Sequence, residues 1–207
     1  MKRVYNGKRI SKSVYKFIKF VKSHLAEWGV DIVWGRGTSV QCNGCTAAGF
    51  FSDEDLVMKI ATKNEFWLDT LIHEYAHFLQ WIEGNSLFKK SAKAIEHVEG
   101  WFNREEIGAR RLSRSFSIIR AMERDCEMKA CKIAKKFKLP INSRGYARRA
   151  NLYIYTHWIM EQERRFWAYK KNPLHSRYIL SLMPNNFKKH THKSIPPKIL
   201  KALNSYV

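Results

Sequence analysis

The amino-acid sequence predicts an α+β fold, because helix and strand patterns occupy separate stretches of the chain. Residues 30–62 hold four short strand-like runs separated by turn signals such as Gly35-Arg36-Gly37 and Asn43-Gly44. Apolar residues recur at helical spacing before and after this region. Hydrophobic residues make up 45% of the 207 residues and aromatic residues 14%, which predicts a packed core and excludes a largely disordered chain.

The first helix is predicted over residues 11–28. Ser11 can cap its amino end, and Gly29 can end it. Its lysines lie largely off the apolar stripe, on the side expected to face solvent. The apolar stripe consists of Val14, Phe17, Ile18, Val21, Leu25 and Trp28.

Four strands and a second helix are predicted next. The helix covers residues 65–83, with Asn64 as its candidate N-cap and Gly84-Asn85 as its end. The predicted strands are 30–34, 39–42, 49–52 and 56–62.

The following part of the chain is predicted to be largely helical. Residues 86–112 indicate helical pieces joined by loops, and long helices are predicted over 113–138 and 145–171. Four of the five prolines lie from Pro173 onward, a pattern typical of a loosely structured segment.

The chain is strongly basic, with 38 Lys and Arg against 18 Asp and Glu and a formal net charge of +20. Residues 1–26 hold eight basic and no acidic residues, and residues 164–207 hold ten and none. We expect one domain over residues 1–172 and a basic C-terminal tail over 173–207. A basic excess of this size favours nucleic acid or another polyanion as a partner, although a highly solvated surface is the alternative.

The sequence predicts neither a membrane span nor a secretory signal. No stretch approaches the roughly 18 consecutive apolar residues of a transmembrane helix, and Lys19 and Lys22 interrupt the amino-terminal apolar run. We therefore expect a cytoplasmic protein whose cysteines are reduced thiols, with a Cys₄ zinc site or one upstream cysteine ligand as alternatives. The four cysteines are Cys42, Cys45, Cys126 and Cys131.

The predicted helix over 65–83 contains the run His73-Glu74-Tyr75-Ala76-His77. Two histidines four residues apart lie about 40° apart around a helix axis, so both imidazoles can reach one ion. Imidazole nitrogen is a preferred zinc ligand, and a catalytic zinc keeps one position open for water. Glu74 lies about 100° from His73, where it can take a proton from the activated water and later deliver one to a leaving group.

The two histidines point away from the main apolar face of their helix, whose centre lies about 200° from His73. The alternative to a metal site is therefore an ordinary helix whose histidines are exposed to solvent. The apolar face consists of Leu68, Leu71, Ile72, Tyr75, Phe78, Leu79 and Ile82.

A third metal ligand is predicted from the helix over 113–138. Glu123 lies within its apolar stripe, and Glu127 lies about 40° round, on the edge of that stripe. A buried carboxylate is costly unless it is paired or bound to a metal, which nominates Glu123 as the ligand. Glu127 is an alternative ligand or a hydrogen-bond partner for a ligand histidine. An ion pair between Glu123 and Arg120 or another base is the alternative to metal binding.

These residues resemble the gluzincin branch of zinc metallopeptidases, in which strands precede an H-E-x-x-H helix and a helical glutamate follows. The run Glu123-Arg124-Asp125-Cys126-Glu127 also resembles small metallopeptidase-like proteins of bacteriophages and prokaryotes. The resemblance implies a zincin-like fold: a small twisted sheet packed on the N-terminal and active-site helices, with a helical C-terminal part closing over one Zn²⁺. It further implies that the strand at 55–62 lines the substrate cleft. The metzincin pattern H-E-x-x-H-x-x-G-x-x-H does not fit, because Gln80 and Glu83 stand where Gly and His are required.

The resemblance implies zinc-dependent hydrolysis of a protein or peptide substrate, in the host cytoplasm if the protein is phage-encoded. Zinc peptidases often stabilise the developing oxyanion with a Tyr or His. Tyr153 and His157 are candidates for this role, although a core position is the alternative for either residue.

Two other functions fit the sequence. The first is a basic nucleic-acid-binding protein with a structural zinc site. The second is a catalytically inactive zincin fold used for protein contacts.

Overall fold

A computed structural model of the chain describes residues 4–5, 8–42, 45–164, 172–187 and 192–206. Within them the protein is a mixed α+β structure, as predicted. The strands are β1 (Val4–Tyr5), β2 (Lys8–Arg9), β3 (Asp31–Gly35), β4 (Val40–Cys42), β5 (Cys45–Ala47), β6 (Gly49–Ser52) and β7 (Val57–Ala61). The helices are α1 (Lys12–Glu27), α2 (Trp67–Ile82), α3 (Ser86–Phe102), α4 (Ala109–Lys136), α5 (Ser143–Glu163), α6 (Arg177–Leu182) and α7 (Pro197–Asn204), with a 3₁₀ helix at Pro173–His175.

The chain divides into two compact units. Unit 1 comprises Met1–Glu83 and Lys129–Ile141, and unit 2 comprises Gly84–Met128 and Asn142–Val207. Helix α4 contributes to both units, because the unit boundary falls within it after residue 128.

Unit 1 contains a three-stranded sheet in the order β3-β7-β6. Strand β7 pairs with β3 in parallel, with Asp31 opposite Val57, and with β6 in antiparallel, with Gly49 opposite Ile60. Strands β4 and β5 form a separate hairpin. The four predicted strands are confirmed. Strand β7 is hydrogen-bonded on both sides, by β3 and by β6.

The predicted N-cap of α1 and its buried apolar stripe are confirmed. The backbone N–H of Val14 donates to Ser11 Oγ at 3.2 Å. Trp28 is the exception within the predicted stripe, because it lies just beyond the helix as the C-cap residue and is exposed. The buried residues of α1 are Val14, Phe17, Ile18, Val21 and Leu25.

Two asparagines beside α2 have roles that differ from, or add to, those predicted. Asn64 does not cap α2; its Oδ1 accepts from the Phe66 N–H at 2.9 Å and forms a turn before the helix, which begins at Trp67. Asn85 does more than end α2, because its Oδ1 accepts from the N–H groups of Leu87 and Phe88 and so caps α3. Helix α3 covers Ser86–Phe102, and a loop over residues 103–108 joins it to α4, so the helical pieces joined by loops that were predicted over 86–112 are confirmed.

Unit 2 is helical, and its C-terminal segment is ordered. The expectation of a loosely structured segment from Pro173 onward is wrong for the described residues. Pro197 occupies the first turn of α7, where proline favours helix initiation. The tail also bonds to α5, since Asn151 Nδ2 donates to the carbonyls of Pro184 and Asn186. The buried cluster that joins α5, α6 and α7 contains Leu152, Tyr155, Ile159, Ile179, Met183, Ile199 and Leu203.

A second buried cluster in unit 2 joins α3, the first half of α4 and the end of α5. It contains Ala94, Val98, Leu112, Phe116, Ile119 and Met160. Helix α5 ends at Glu163, and residues 165–171 of the predicted helix lie outside the described residues. No helix in the described part of the chain combines the length and apolarity needed to cross a lipid bilayer.

Ser11→Ala removes the side-chain acceptor at the start of α1 and should lower the free energy of unfolding by about 1 kcal/mol. Urea denaturation monitored by circular dichroism measures the change. The control is Ser23→Ala, at an exposed position inside the same helix, which should leave stability within about 0.5 kcal/mol of the parent. Equal effects of the two substitutions would contradict the capping role.

Candidate metal centre

Helix α2 carries the predicted motif and packs on the sheet of unit 1 through its apolar face. It contacts β6 and β7, and the ring of Phe78 meets the ring of Phe51 on β6 edge-on, with centroids 5.9 Å apart. A Cβ at Gly49 would lie 2.7 Å from Thr70 Cγ2 and 2.8 Å from the carbonyl oxygen of Lys59. Only glycine therefore lets β6 approach α2 this closely.

Tyr75 anchors the same face of α2 against α1. Its ring packs edge-on against Phe17 and Phe20, and its hydroxyl shares a 2.7 Å hydrogen bond with His24 Nδ1. Burial, reinforced by the nearby Glu27 and Glu83 carboxylates, raises the pKa of the Tyr75 hydroxyl, so the phenol stays protonated. These contacts fix the rotation of α2 about its own axis.

The polar face of α2 is buried as well. Glu74 is 7% exposed, His77 is 8% exposed and Gln80 is fully buried, while His73 is half-buried. The alternative of a solvent-exposed histidine pair is therefore wrong. Buried polar groups of this kind are costly unless they are hydrogen-bonded or bind a ligand.

The two imidazoles of His73 and His77, hereafter the His pair, converge as the spacing predicts. Their Nε2 atoms lie 3.1 Å apart, and their rings are nearly perpendicular, with centroids separated by 4.6 Å. His77 Nδ1 is 2.9 Å from Gln80 Oε1. Because Oε1 can only accept, Nδ1 carries the proton and donates, which leaves the lone pair of His77 on Nε2.

The His pair fits a zinc ion. Two nitrogens that ligate one tetrahedral zinc at about 2.0–2.1 Å lie about 3.3 Å from each other, close to the observed Nε2–Nε2 separation of 3.1 Å. A ligand histidine usually donates its other N–H to a side-chain or backbone oxygen, which fixes its tautomer. The hydrogen bond from His77 Nδ1 to Gln80 Oε1 has this form.

Gln80 is a functional candidate that the sequence analysis did not identify. It lies three residues after His77 and therefore on the same side of the helix. This spacing of a polar residue from a candidate ligand was the sequence feature that could have identified Gln80 as a hydrogen-bond partner of His77. Its complete burial, however, depends on neighbours that a helical periodicity does not specify.

The predicted acidic residues Glu123 and Glu127 lie in the part of α4 that belongs to unit 2, and both are buried as expected. Tyr146 Oη donates a short hydrogen bond to Glu127 Oε2. Arg120 forms an ion pair with Glu161, at 2.7 Å between Nη1 and Oε2. The Arg120 guanidinium also lies over an aromatic ring of α5, that of Trp158, at 3.6 Å.

The oxyanion candidates Tyr153 and His157 lie one turn apart on α5, with ring centroids 5.0 Å apart. His157 Nδ1 donates to the Tyr153 carbonyl at 3.2 Å. Burial lowers the pKa of the His157 imidazole; the Glu123 carboxylate opposes this shift and the Arg120 guanidinium adds to it. His157 is therefore neutral near pH 7, with Nε2 as an acceptor.

The described cysteines Cys42, Cys126 and Cys131 form no disulfide. The side chain of Cys45 lies outside the described residues. Cys126 is fully buried and lies three residues after Glu123, on the same side of α4.

The structure thus places His73, Glu74 and His77 together in unit 1, and groups the other predicted site residues within unit 2. The chain matches no protein-family model, no curated protein and no solved structure.

Gln80→Leu removes the acceptor for His77 Nδ1–H and should weaken zinc binding about 10- to 100-fold, because the imidazole loses its fixed tautomer and orientation. Gln80→Glu keeps an acceptor at the same place and should retain an affinity within a few-fold of the parent. Competition with a chromophoric chelator measures both. Equal affinity of the two variants would contradict the orienting role.

Proposed function

We propose that the protein is a zinc-dependent metallopeptidase that hydrolyses peptide bonds. The observation that carries the proposal is the 3.1 Å separation of the Nε2 atoms of His73 and His77, with Glu74 next to His73 on the same buried helix. Protein or peptide is the proposed substrate class because an H-E-x-x-H helix supplies two ligands and a carboxylate base together.

Zinc bound by the His pair would polarise the scissile carbonyl and lower the pKa of a water molecule. The carboxylate of Glu74 would take a proton from the attacking water and then donate it to the leaving amine. Burial of Glu74 supports this role, because a carboxylate shielded from bulk water passes its proton to the leaving group and not to solvent.

A zincin-like fold of the gluzincin type is proposed on the order of elements in unit 1. A twisted sheet with one antiparallel strand precedes the helix that carries the motif, and β6 runs alongside that helix. Strand β6 lies at the edge of its sheet. An edge strand can pair with an extended peptide, which makes β6 the proposed substrate-binding strand.

The third ligand is proposed to come from α4. Glu123 is the first candidate, because it is a buried carboxylate within the apolar stripe of α4, and a buried carboxylate is costly unless it is paired or bound to a metal. Cys126 is the second candidate, because thiolate and imidazole are both preferred zinc donors. Glu127, already the acceptor for Tyr146, is better suited to orienting a ligand than to replacing one.

Glu74→Gln should keep bound zinc and lower peptide hydrolysis by at least about a hundredfold, because the amide cannot accept the proton. Zinc content is measured by elemental analysis, and activity by cleavage of casein and of a fluorogenic peptide library. Glu54→Gln, the same change at an exposed position, should behave like the parent. Full activity of Glu74→Gln would contradict the mechanism.

Absence of hydrolysis by the parent protein, with zinc retained, would instead indicate one of the two non-catalytic alternatives. A structural zinc would then persist in Glu74→Gln without any difference in function between the two proteins.

Removing the third ligand should lower the zinc content from one ion per chain to well below one. Glu123→Ala is expected to do so, whereas Cys126→Ala should retain zinc. Cobalt substitution gives an independent measurement, since a thiolate ligand adds a charge-transfer band in the near ultraviolet. Loss of zinc in Cys126→Ala alone, with that band present in the parent, would assign the role to the thiolate.

A further inference from the structure

A basic surface covers one side of unit 1, and its charges come from two helices. We call it the lysine face. All of its lysines are exposed. They are Lys12, Lys16, Lys19 and Lys22 on α1, and Lys132, Lys135 and Lys136 near the end of α4.

The two parts of the lysine face are held together by aromatic packing within unit 1. Phe137, just after α4, packs its ring against Phe17 and Phe20 of α1, with centroids 5.0 and 4.9 Å apart. Lys136 Nζ lies 5.9 Å from the Phe20 ring centre and 5.7 Å from that of Phe137. Phe20 remains 39% exposed, so an aromatic surface lies among the lysines.

The charge of the lysine face is not neutralised by the described part of the chain. None of its seven lysines takes part in an ion pair there; the ion pair near the end of α4 joins Lys129 to Glu83. The first turn of α1 has no acidic residue. Lysines at i,i+3 and i,i+4 spacing repel one another and oppose helix formation, so a bound polyanion would relieve an unfavourable arrangement.

The row of lysines on α1 is long enough to reach several phosphates of one strand. From Lys12 to Lys22 the helix rises about 15 Å, while one strand of a duplex presents a phosphate about every 3.4 Å along its axis. The row therefore covers the axial length of about five consecutive phosphates.

An anionic membrane is a poorer partner, because helices that bind membranes insert an apolar face. The apolar face of α1 is already buried in unit 1, from Val14 to Leu25.

We propose that the lysine face binds the phosphodiester backbone of a nucleic acid. The interaction goes beyond the proposed peptidase activity and does not involve the His pair. The half-exposed Phe20 offers a ring on which an unpaired base can stack, so single-stranded and duplex ligands are tested separately.

The test compares two triple variants that lower the net charge by the same amount. Lys12→Gln/Lys16→Gln/Lys19→Gln alters the lysine face. The matched control alters Lys90, Lys198 and Lys201, which are exposed in unit 2. Fluorescence anisotropy with a labelled 20-nucleotide single strand and a 20-base-pair duplex is measured at several NaCl concentrations.

The lysine-face triple variant should bind at least about tenfold more weakly at 100 mM NaCl, and its log–log salt slope should be shallower by about 2–3, as expected for the loss of three phosphate contacts. The control triple should stay within about threefold of the parent. Lys12→Arg/Lys16→Arg/Lys19→Arg keeps the charges and should retain parental affinity.

Several outcomes would overturn the proposal: no binding of either nucleic acid by the parent, equal losses in the two glutamine triples, or binding of phosphatidylserine vesicles in place of DNA. Equal binding of the single strand and the duplex would support recognition of the phosphate backbone alone. Stronger binding of the single strand, with that difference lost in Phe20→Leu, would support backbone recognition together with stacking of a base on Phe20. Glu74→Gln should bind as the parent does, so this result and a failure of the peptidase proposal are distinguishable.

Discussion

The rotation of α2 about its own axis is the constraint on which the candidate metal centre depends. Two residues of α2 fix that rotation. Tyr75 packs against α1 and shares a hydrogen bond with His24, and Phe78 packs against Phe51 of the sheet. With the apolar face of α2 held in this way, His73 and His77, one turn apart, lie side by side on the polar face of the same helix. A rotation of even one residue position, about 100°, would separate the imidazoles from their present surroundings.

The second consequence of this rotation is the burial of a polar face. Glu74, His77 and Gln80 together place a carboxylate, an imidazole and an amide out of contact with water. A protein that needed only stability would gain by apolar side chains here, since each buried polar group loses its hydration. In the proposed zinc site, the fixed imidazole tautomer would orient a ligand and the shielded carboxylate would act as the base.

Local patterns allowed much of unit 1 to be predicted. The cap at Ser11, the buried stripe of α1 and the histidine pair on one helix all depend on spacings of a few residues. The pairing of β3 with β7 was not predictable in the same way, because a parallel pair joins segments distant in sequence and carries no turn signal between them. Asn64 and Asn85 show a further limit, since the same side chain can form a turn or cap a helix.

The errors in unit 2 also have a physical cause. The prolines after Pro173 indicated an irregular segment, yet proline in a first helical turn favours the helix, and the apolar residues between the prolines complete a core on α5. The carboxylate of Glu123 was predicted to be buried, and it is, because a helical stripe reports burial well. The periodicity of apolar residues does not predict which side chain or ion contacts the Glu123 carboxylate.

Helix α1 links the two proposals without making one depend on the other. Its inner side supports α2 through the contact between Phe17 and Tyr75, whereas its outer side carries the lysines. Substitutions on the outer side therefore leave the support of the His pair intact, which allows nucleic-acid binding and peptide hydrolysis to be examined separately.

The central claim is that the imidazoles of His73 and His77 bind one zinc ion that keeps a position open for water. A crystal structure of the zinc-loaded protein, with anomalous scattering measured at the zinc edge, tests it most directly. The account predicts a single anomalous peak about 2.0–2.1 Å from Nε2 of both histidines, with solvent in one coordination position. A peak elsewhere, or two imidazoles that share no ion, would contradict the account.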